Sequence, residues 1–247
     1  MISDSTYNLK IFQSGDALSR AAAEFIVEIS GKSIAERGKF LIALSGGKTP
    51  EQLYLLLAEP FFRDQMQWDK TFVFWGDERC VPLEDERNNA HQAKLLLLDK
   101  INIPAPNIYP IPVNLSPAEA ASKYEKEMNS FFEGGSPRLD FLLLGLGENG
   151  HTASLFPRTK VIAERAMGIR EVYLEDERIF RVTMTAPLIN KARQILFLVG
   201  GKNKAEILKK VLRGPYLPDS YPAQLVRPEA GCVSWFVDQA AASYISV

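Results

Sequence analysis

The residues best placed to do chemistry lie in one stretch that runs from a strand into a glycine-rich turn. Phe141 to Leu144 carries no polar residue, which is typical of a parallel strand buried on both faces. Gly145, Gly147 and Gly150 follow, and glycine allows positive φ and close backbone approach. His151, one of two histidines in the chain, then comes where the strand's carboxyl end opens to solvent. A neutral imidazole at that place could act as a general base.

The segment after the histidine predicts how the ring is kept neutral. Thr152 to Phe156, stopped by Pro157, reads as a short helix that begins at His151. The positive end of the helix dipole would disfavour the imidazolium form. A histidine that only caps the turn through hydrogen bonds is an equally good interpretation.

A second candidate is a turn between a strand and a helix, formed by Ser45, Gly46, Gly47, Lys48 and Thr49. Thr49 and Gln52 fit a capping box, and Pro50 suits the first helical position. Backbone amides and the positive helix end would together bind a phosphate or carboxylate. The spacing matches neither a Walker A loop nor a dinucleotide-binding loop. An ordinary tight turn, with Thr49 serving only the backbone, is the alternative.

A third candidate is the pair of charged residues Asp77 and Arg79, which follow the predicted strand Thr71–Trp75. A guanidinium can hold a phosphate by paired hydrogen bonds, and a carboxylate can act as a base or fix the arginine. Glu78 is expected to point away from both, because neighbours in an extended segment face opposite sides. A solvated charge cluster is the competing interpretation.

Two further cations stand out. Lys204 follows the strand Gln194–Val199 and could reach an anion beside the sheet edge, although such a lysine is often solvent-exposed. Arg181 lies inside a predicted strand, where a buried arginine needs a partner.

The elements that must position these groups alternate along the chain. Strands are expected at Phe40–Leu44, Thr71–Trp75, Phe141–Leu144, Arg178–Met184, Gln194–Val199 and Val233–Val237. Helices are expected at Asp16–Ser30, Pro50–Ala58, Asn89–Leu98, Pro117–Phe132 and Asn203–Leu212, with a short one after the last strand. This order predicts helices on both faces of a mostly parallel sheet, in a single domain over residues 1–247. The strand ends then share one rim and bring an anion site, two cations and a base together.

Composition and charge argue against several classes of protein function. The net charge of −1 gives no electrostatic signature for nucleic acid or an anionic membrane. No stretch approaches the roughly 18 to 20 apolar residues that span a bilayer. Residues Met1–Ser5 lack the features of a signal peptide, and the distant Cys80 and Cys232 predict no disulfide. A reducing cytoplasm is the expected compartment.

Taken together, these segments resemble the 6-phosphogluconolactonase family. The matching motifs are Ser45-Gly46-Gly47-x-Thr49-Pro50, Asp77-Glu78-Arg79-x-Val81-Pro82, Gly145-x-Gly147-x-x-Gly150-His151-Thr152-x-Ser154-Leu155-Phe156-Pro157 and Gly201-x-x-Lys204. The resemblance implies a three-layer α/β/α fold with a mostly parallel, doubly wound sheet, similar to glucosamine-6-phosphate deaminase and ribose-5-phosphate isomerase. It implies hydrolysis of 6-phospho-D-glucono-1,5-lactone in the oxidative pentose phosphate pathway, without cofactor or metal.

The resemblance also implies residue roles. The family's base falls on His151, and its phosphate contacts fall on Arg79, Lys204 and the loop from Ser45 to Thr49. We place Asp77 as a second catalytic candidate, acting directly or by positioning Arg79, and Gly147 and Arg181 as substrate contacts. Asn149 departs from the aspartate usual in the family, and an amide cannot serve as a base at neutral pH.

Three other functions remain open at this point. One is a sugar-phosphate isomerase or deaminase of the same fold, against which Asn149 and the lack of a glutamate between Thr152 and Pro157 count. Another is a non-catalytic sugar-phosphate sensor, and a weaker one is a nucleotide-binding domain. The expected ligand in the main interpretation is a small phosphorylated sugar lactone, bound by a monomer or weak dimer.

Overall fold

The computed structural model describes residues 7–245, so the signal-peptide prediction for Met1–Ser5 lies outside the described residues. The strands are β1 (Asn8–Phe12), β2 (Phe40–Leu44), β3 (Thr71–Trp75), β4 (Asp77–Arg79), β5 (Phe141–Leu144), β6 (Ile169–Leu174), β7 (Ile179–Met184), β8 (Gln194–Val199) and β9 (Cys232–Asp238). The α-helices are α1 (Gly15–Arg37), α2 (Lys48–Ala58), α3 (Pro60–Arg63), α4 (Asn89–Leu96), α5 (Pro117–Phe131), α6 (Ala186–Ile189) and α7 (Ala205–Arg213). Short 3₁₀ turns occupy Trp68–Lys70, Leu98–Lys100, Ala105–Asn107, Lys160–Ala163, Lys202–Lys204 and Pro222–Leu225.

The larger sheet has the strand order β1-β9-β8-β5-β2-β3, and every pairing in it is parallel. Every residue of β2, β5 and β8 is buried, because helices cover both faces of these apolar strands. The predicted three-layer α/β/α fold with a mostly parallel sheet is confirmed.

The strand order places the topological switch point between β2 and β5. The chain leaves β2 toward β3 on one side and leaves β5 toward β8 on the other. A crevice therefore opens outside the carboxyl ends of these two strands, and that is where ligands bind in sheets of this type.

A second sheet, which the sequence did not predict, has the antiparallel order β4-β7-β6. Gly76 makes the connection between the sheets: its N–H donates to Leu44 O at 3.1 Å, and its carbonyl accepts from Met184 N at 2.9 Å. The predicted strand that holds Arg181 is present as β7, but it is the middle strand of this smaller sheet and not part of the parallel sheet.

Helix boundaries follow local capping. Ser14 begins α1 by accepting a hydrogen bond from Ala17 N, and Gly38 ends it in the left-handed conformation. Ser116 and Glu119 form a capping box at α5.

Two predicted helices are absent from the described residues. Thr152 to Phe156 forms a turn closed by a bridge between Thr152 and Leu155, because the Thr152 hydroxyl donates to Gly145 O at 2.8 Å and Ala153 takes a positive φ of 46°. The segment after β9 forms turns rather than a helix. Cys80 and Cys232 are free thiols, as predicted. Across residues 7–245 we find no helix that is both long enough and apolar enough to cross a membrane.

Candidate active site

A cleft of ≈ 790 Å³ opens at the switch point. Its walls come from the carboxyl ends of β2, β5 and β8 and from one face of the smaller sheet. The structure brings every predicted site residue to this cleft, namely Ser45, Gly46, Gly47, Thr49, Asp77, Arg79, Gly147, His151, Arg181 and Lys204.

The orientation of the His151 ring is set by Asn149. The amide oxygen Oδ1 of Asn149 accepts from the backbone N–H of His151 at 3.2 Å and lies 2.6 Å from the ring Nδ1. Since the backbone group can only donate, the atom it faces must be the oxygen, and Nδ1 must then carry the proton. The lone pair of the neutral ring is therefore on Nε2, which is the arrangement of a general base.

Close packing fixes the ring in place. His151 stacks on Phe156 with ring centroids 3.9 Å apart and an interplanar angle of 21°. On Gly147, a Cβ atom would lie 2.1 Å from the imidazole. Glycine is therefore required at this position by the histidine and not by the backbone conformation.

The neutral form of His151 is favoured by burial and by nearby cations. Partial removal from water lowers the pKa of His151 to about 3, and the positive charges of Arg181, Lys204 and Arg79 contribute in that order. The predicted helix dipole is wrong as the cause, because no helix begins at His151 within the described part of the chain.

Arg79 and Arg181 face each other across the antiparallel pair β4 and β7. Arg79 Nη1 donates to Arg87 O at 2.6 Å, and Arg181 Nη2 donates to the Glu177 carboxylate at 2.6 Å. The Nε atoms of both arginines are buried and have no hydrogen-bond partner among the described residues. Two guanidinium groups with spare donors in one cleft can bind a dianion.

Asp77 lies on the same face of the smaller sheet, but it does not position Arg79 as one alternative proposed. Its Oδ2 accepts from the Ser154 hydroxyl at 2.6 Å and lies 4.0 Å from Arg181 Nη1. The Ser154 backbone N–H donates to the Thr183 hydroxyl at 3.1 Å. Asp77 therefore holds the segment after His151 against the smaller sheet.

The turn after β2 is held by a buried tyrosine hydroxyl. Tyr54 accepts from Ser45 N at 3.1 Å and donates to Ser45 O at 2.5 Å. Gly47, with φ of 102°, is the N-cap of α2, and among the described side chains none caps this helix. The predicted capping box of Thr49 and Gln52 is therefore wrong, and the first amides of α2 remain available to an anion.

The amides of the glycine turn after β5 are used differently. Gly147 N donates to His151 O at 2.8 Å, and Gly150 N donates to Gly147 O at 2.9 Å. These two donors serve the turn itself, whereas no described side chain caps the first amides of α2, which can stabilise a negative charge.

Lys204 is half-buried, and its ammonium lies 3.9 Å from the exposed carboxylate of Glu148. Burial lowers the pKa of Lys204, and the Glu148 charge opposes this effect. Asn203 donates to the same carboxylate at 2.6 Å. The charge of Lys204 is thus only weakly balanced.

Glu78 points away from the cleft, as predicted, and is completely buried. Its carboxylate accepts from Arg79 N at 2.8 Å, Asn89 N at 2.7 Å and Ala90 N at 2.8 Å. Burial raises the pKa of Glu78 to about 7, and these hydrogen bonds oppose that rise. Glu78 therefore ties β4 to the start of α4.

Sequence reasoning missed Asn89, Tyr54 and Glu177. Asn89 lines the cleft, and its Nδ2 donates to Asp77 O at 2.9 Å. Each of these residues lies on an ordinary-looking helix or turn, without a motif that marks it as a site residue. Among the described residues, no three His, Cys, Asp or Glu side chains cluster as metal ligands would.

Comparison with known proteins identifies the family. Residues 13–235 match the model of the glucosamine-6-phosphate isomerases/6-phosphogluconolactonase family. The chain belongs to this family. The match covers all the strand ends that form the cleft, and the family expected from the sequence motifs is confirmed.

Several named members of the family are similar to this chain. It is 42% identical over 215 residues to a 6-phosphogluconolactonase of Synechocystis sp., covering 85% of this chain and 86% of the relative. It is 38% identical over 236 residues to a 6-phosphogluconolactonase of Nostoc sp., covering 94% and 95%. The solved structure of 6-phosphogluconolactonase from Trypanosoma brucei aligns with a TM-score of 0.84 at 26% identity, covering 97% of this chain and 99% of that one.

Proposed function

We propose that this protein is a 6-phosphogluconolactonase, which hydrolyses 6-phospho-D-glucono-1,5-lactone to 6-phospho-D-gluconate in the oxidative pentose phosphate pathway. The observation that carries the proposal is the His151 ring, whose Nε2 lone pair lies in a cleft with three cations and an uncapped helix start. The names of the similar family members support the same reaction.

In the proposed mechanism, His151 Nε2 removes a proton from a water molecule as its oxygen attacks the lactone carbonyl carbon. The first amides of α2 stabilise the negative charge that develops on the carbonyl oxygen. When the bond from that carbon to the ring oxygen breaks, His151 returns the proton to the departing oxygen. The product is an open-chain carboxylic acid, which then loses its proton to water and becomes the carboxylate.

We assign the phosphate group of the substrate to Arg79, Arg181 and Lys204. Their charges face a shared cleft and are only partly balanced by Glu177 and Glu148. Binding a phosphate far from the ester orients the reacting carbonyl, so binding energy is used to lower the barrier. The turn at the other wall of the cleft is formed by Ser45, Gly46, Gly47 and Thr49. Asp77 accepts a hydrogen bond from Ser154 and lies beside Arg181.

A lactonase assay on the purified protein, with spontaneous hydrolysis subtracted, tests this function. We expect His151→Ala to lower kcat by about 10²- to 10⁴-fold while the protein stays folded. Near-normal activity of a folded His151→Ala variant would remove the base assignment. Release of ammonia from glucosamine 6-phosphate would favour the deaminase branch of the family instead.

We further propose that the chain works as one domain, because the cleft is built from both sheets and neither sheet alone carries the full set of residues. A monomer or weak dimer acting in the cytoplasm on a small phosphorylated sugar lactone, without nucleic acid, cofactor or metal, fits this picture. Size-exclusion chromatography with light scattering measures the oligomeric state.

A further inference from the structure

The register of β4 and β7 puts two like charges directly opposite each other at Arg79 and Arg181. Like charges in such a position destabilise a strand pair. Each guanidinium also keeps a buried Nε without a hydrogen-bond partner among the residues that the structure describes. An anion bound between the two side chains would offset the repulsion of their charges and accept hydrogen bonds from their unused donors.

The same charges act on His151. Phe156 is in contact with both groups: the imidazole stacks on its ring at 3.9 Å, and the Arg181 guanidinium carbon lies 5.0 Å from its centroid. The other cations of the cleft are Arg79 from β4 and Lys204 from the turn before α7.

Among the described residues, the hydrogen-bond partner of the ring is the amide of Asn149, and none of the carboxylates near these cations is hydrogen-bonded to it. Asn149 on the turn of His151 is neutral, and Asp77 on β4 is hydrogen-bonded to Ser154. Glu177 beyond the end of β6 pairs with Arg181, and the exposed Glu148 lies 3.9 Å from Lys204. Burial lowers the pKa of His151 most, and these cations, which the carboxylates balance only in part, lower it further and make the ring a poorer proton acceptor.

We propose that the phosphate dianion is an activator of His151 as well as a binding group: held between Arg79 and Arg181, it cancels the positive charge that faces the imidazole. This inference rests on the proposed lactonase function. It predicts a further activity, because a free phosphate dianion should then let the cleft hydrolyse an unphosphorylated lactone.

The reaction in that case balances without the dianion being consumed. Water attacks the lactone carbonyl and its proton goes to His151 Nε2. The bond to the ring oxygen then breaks, and the same proton passes to that oxygen. The dianion stays bound and unchanged, and the product is the hydroxy acid.

The first test measures hydrolysis of glucono-1,5-lactone by the wild-type protein at increasing inorganic phosphate and constant ionic strength. The rate with His151→Ala and the same phosphate is subtracted, which removes catalysis by phosphate itself. We expect a saturable increase in kcat/KM of about tenfold or more. A flat response or simple inhibition overturns the proposal.

The second test follows the histidine signals by NMR, which is simple because the chain has only His91 and His151. Phosphate should raise the pKa of His151 by at least about one unit, while His91 on α4 serves as the internal control. Arg181→Met should raise the His151 pKa without phosphate and weaken the response to phosphate. Arg63→Met, which removes an exposed arginine paired with Asp64, should change neither. A His151 pKa that phosphate leaves unchanged overturns the proposal.

The activation by phosphate and the proposed lactonase function can be disproved independently of each other. If the protein hydrolyses the phosphorylated lactone but phosphate activates nothing, only the activation is wrong. If the phosphorylated lactone itself is not hydrolysed, the lactonase function is wrong.

Discussion

The amide oxygen of Asn149 lies 2.6 Å from Nδ1 of His151 and also accepts the backbone N–H of the same histidine. One neutral side chain therefore determines both the tautomer of the ring and its orientation. A carboxylate in the same place would do this and would also stabilise the imidazolium.

Asn149→Asp is expected to raise the pKa of His151, since it places a negative charge beside Nδ1. The acid limb of the pH–rate profile should then move to higher pH. NMR titration of His151, with His91 as reference, measures the shift directly. Asn149→Leu removes the acceptor and should lower kcat at all pH values. An unchanged His151 pKa in Asn149→Asp would contradict the assigned contact.

Gly147→Ala should damage catalysis without damaging the fold. The new Cβ would lie 2.1 Å from the His151 ring, so the ring must move, and a displacement of about 1 Å can cost about 10²-fold in kcat. Gly145→Ala is the matched control in the same turn, because its Cβ would meet nothing within 4 Å. Equal activities of the two variants would show that the close approach is unimportant. Circular dichroism checks that both are folded.

Arg79→Ala and Lys204→Ala should chiefly raise KM, because both side chains are assigned to the phosphate. Each charged hydrogen bond contributes about 1.5–3 kcal/mol, which corresponds to an increase in KM of about 10- to 100-fold. Arg63→Ala provides a control at an exposed ion pair outside the cleft. If KM is unchanged in both cleft variants, these residues do not bind the phosphate.

Glu78 should make the free energy of unfolding depend on pH. Burial raises the folded-state pKa of Glu78 from its ordinary value of 4.5 to about 7, so its contribution to stability is present at low pH and is lost as the pH rises through 7. The stability advantage of wild type over Glu78→Gln should therefore shrink between about pH 5 and pH 8, by about 3 kcal/mol at most.

Denaturant unfolding of both proteins across that range measures the effect. A difference in stability that does not change with pH would show that Glu78 keeps an ordinary pKa. Because the Glu78 side chain points away from the cleft, the comparison is made without substrate.

The sequence predicted the larger sheet well, and for a clear physical reason. β2, β3, β5 and β8 were located to the residue, because a short run of mostly apolar residues between polar turns is typical of a strand in a buried parallel sheet. Seven of the ten candidate site residues follow β2, β5 or β8 and meet at one cleft because the carboxyl ends of such strands share an edge, whereas Asp77, Arg79 and Arg181 reach it from the smaller sheet.

The smaller sheet could not be predicted in the same way. β4 is three residues long and consists of Asp77, Glu78 and Arg79, which carries no strand signal of its own. Its alternation becomes visible only through pairing with β7, where Asp77 and Arg79 face the cleft and Glu78 faces α4. The segment after His151 was wrongly predicted as a helix. The Thr152 hydroxyl donates instead to Gly145 O, back in the glycine turn, and side-chain to backbone hydrogen bonds of this kind compete with helix formation.

The link from Ser154 to Asp77 and Thr183 has a consequence for how the protein loses activity under stress. The smaller sheet ends in a tight, solvent-exposed connection between β6 and β7, where Arg178 takes a positive φ of 52°. Segments of this kind open by local unfolding at a lower free-energy cost than a buried parallel sheet. Hydrogen exchange in β6 and β7 should therefore be faster than in β5 and β8. Inactivation should precede melting of the core, since opening of the hairpin releases the histidine segment while the larger sheet remains intact.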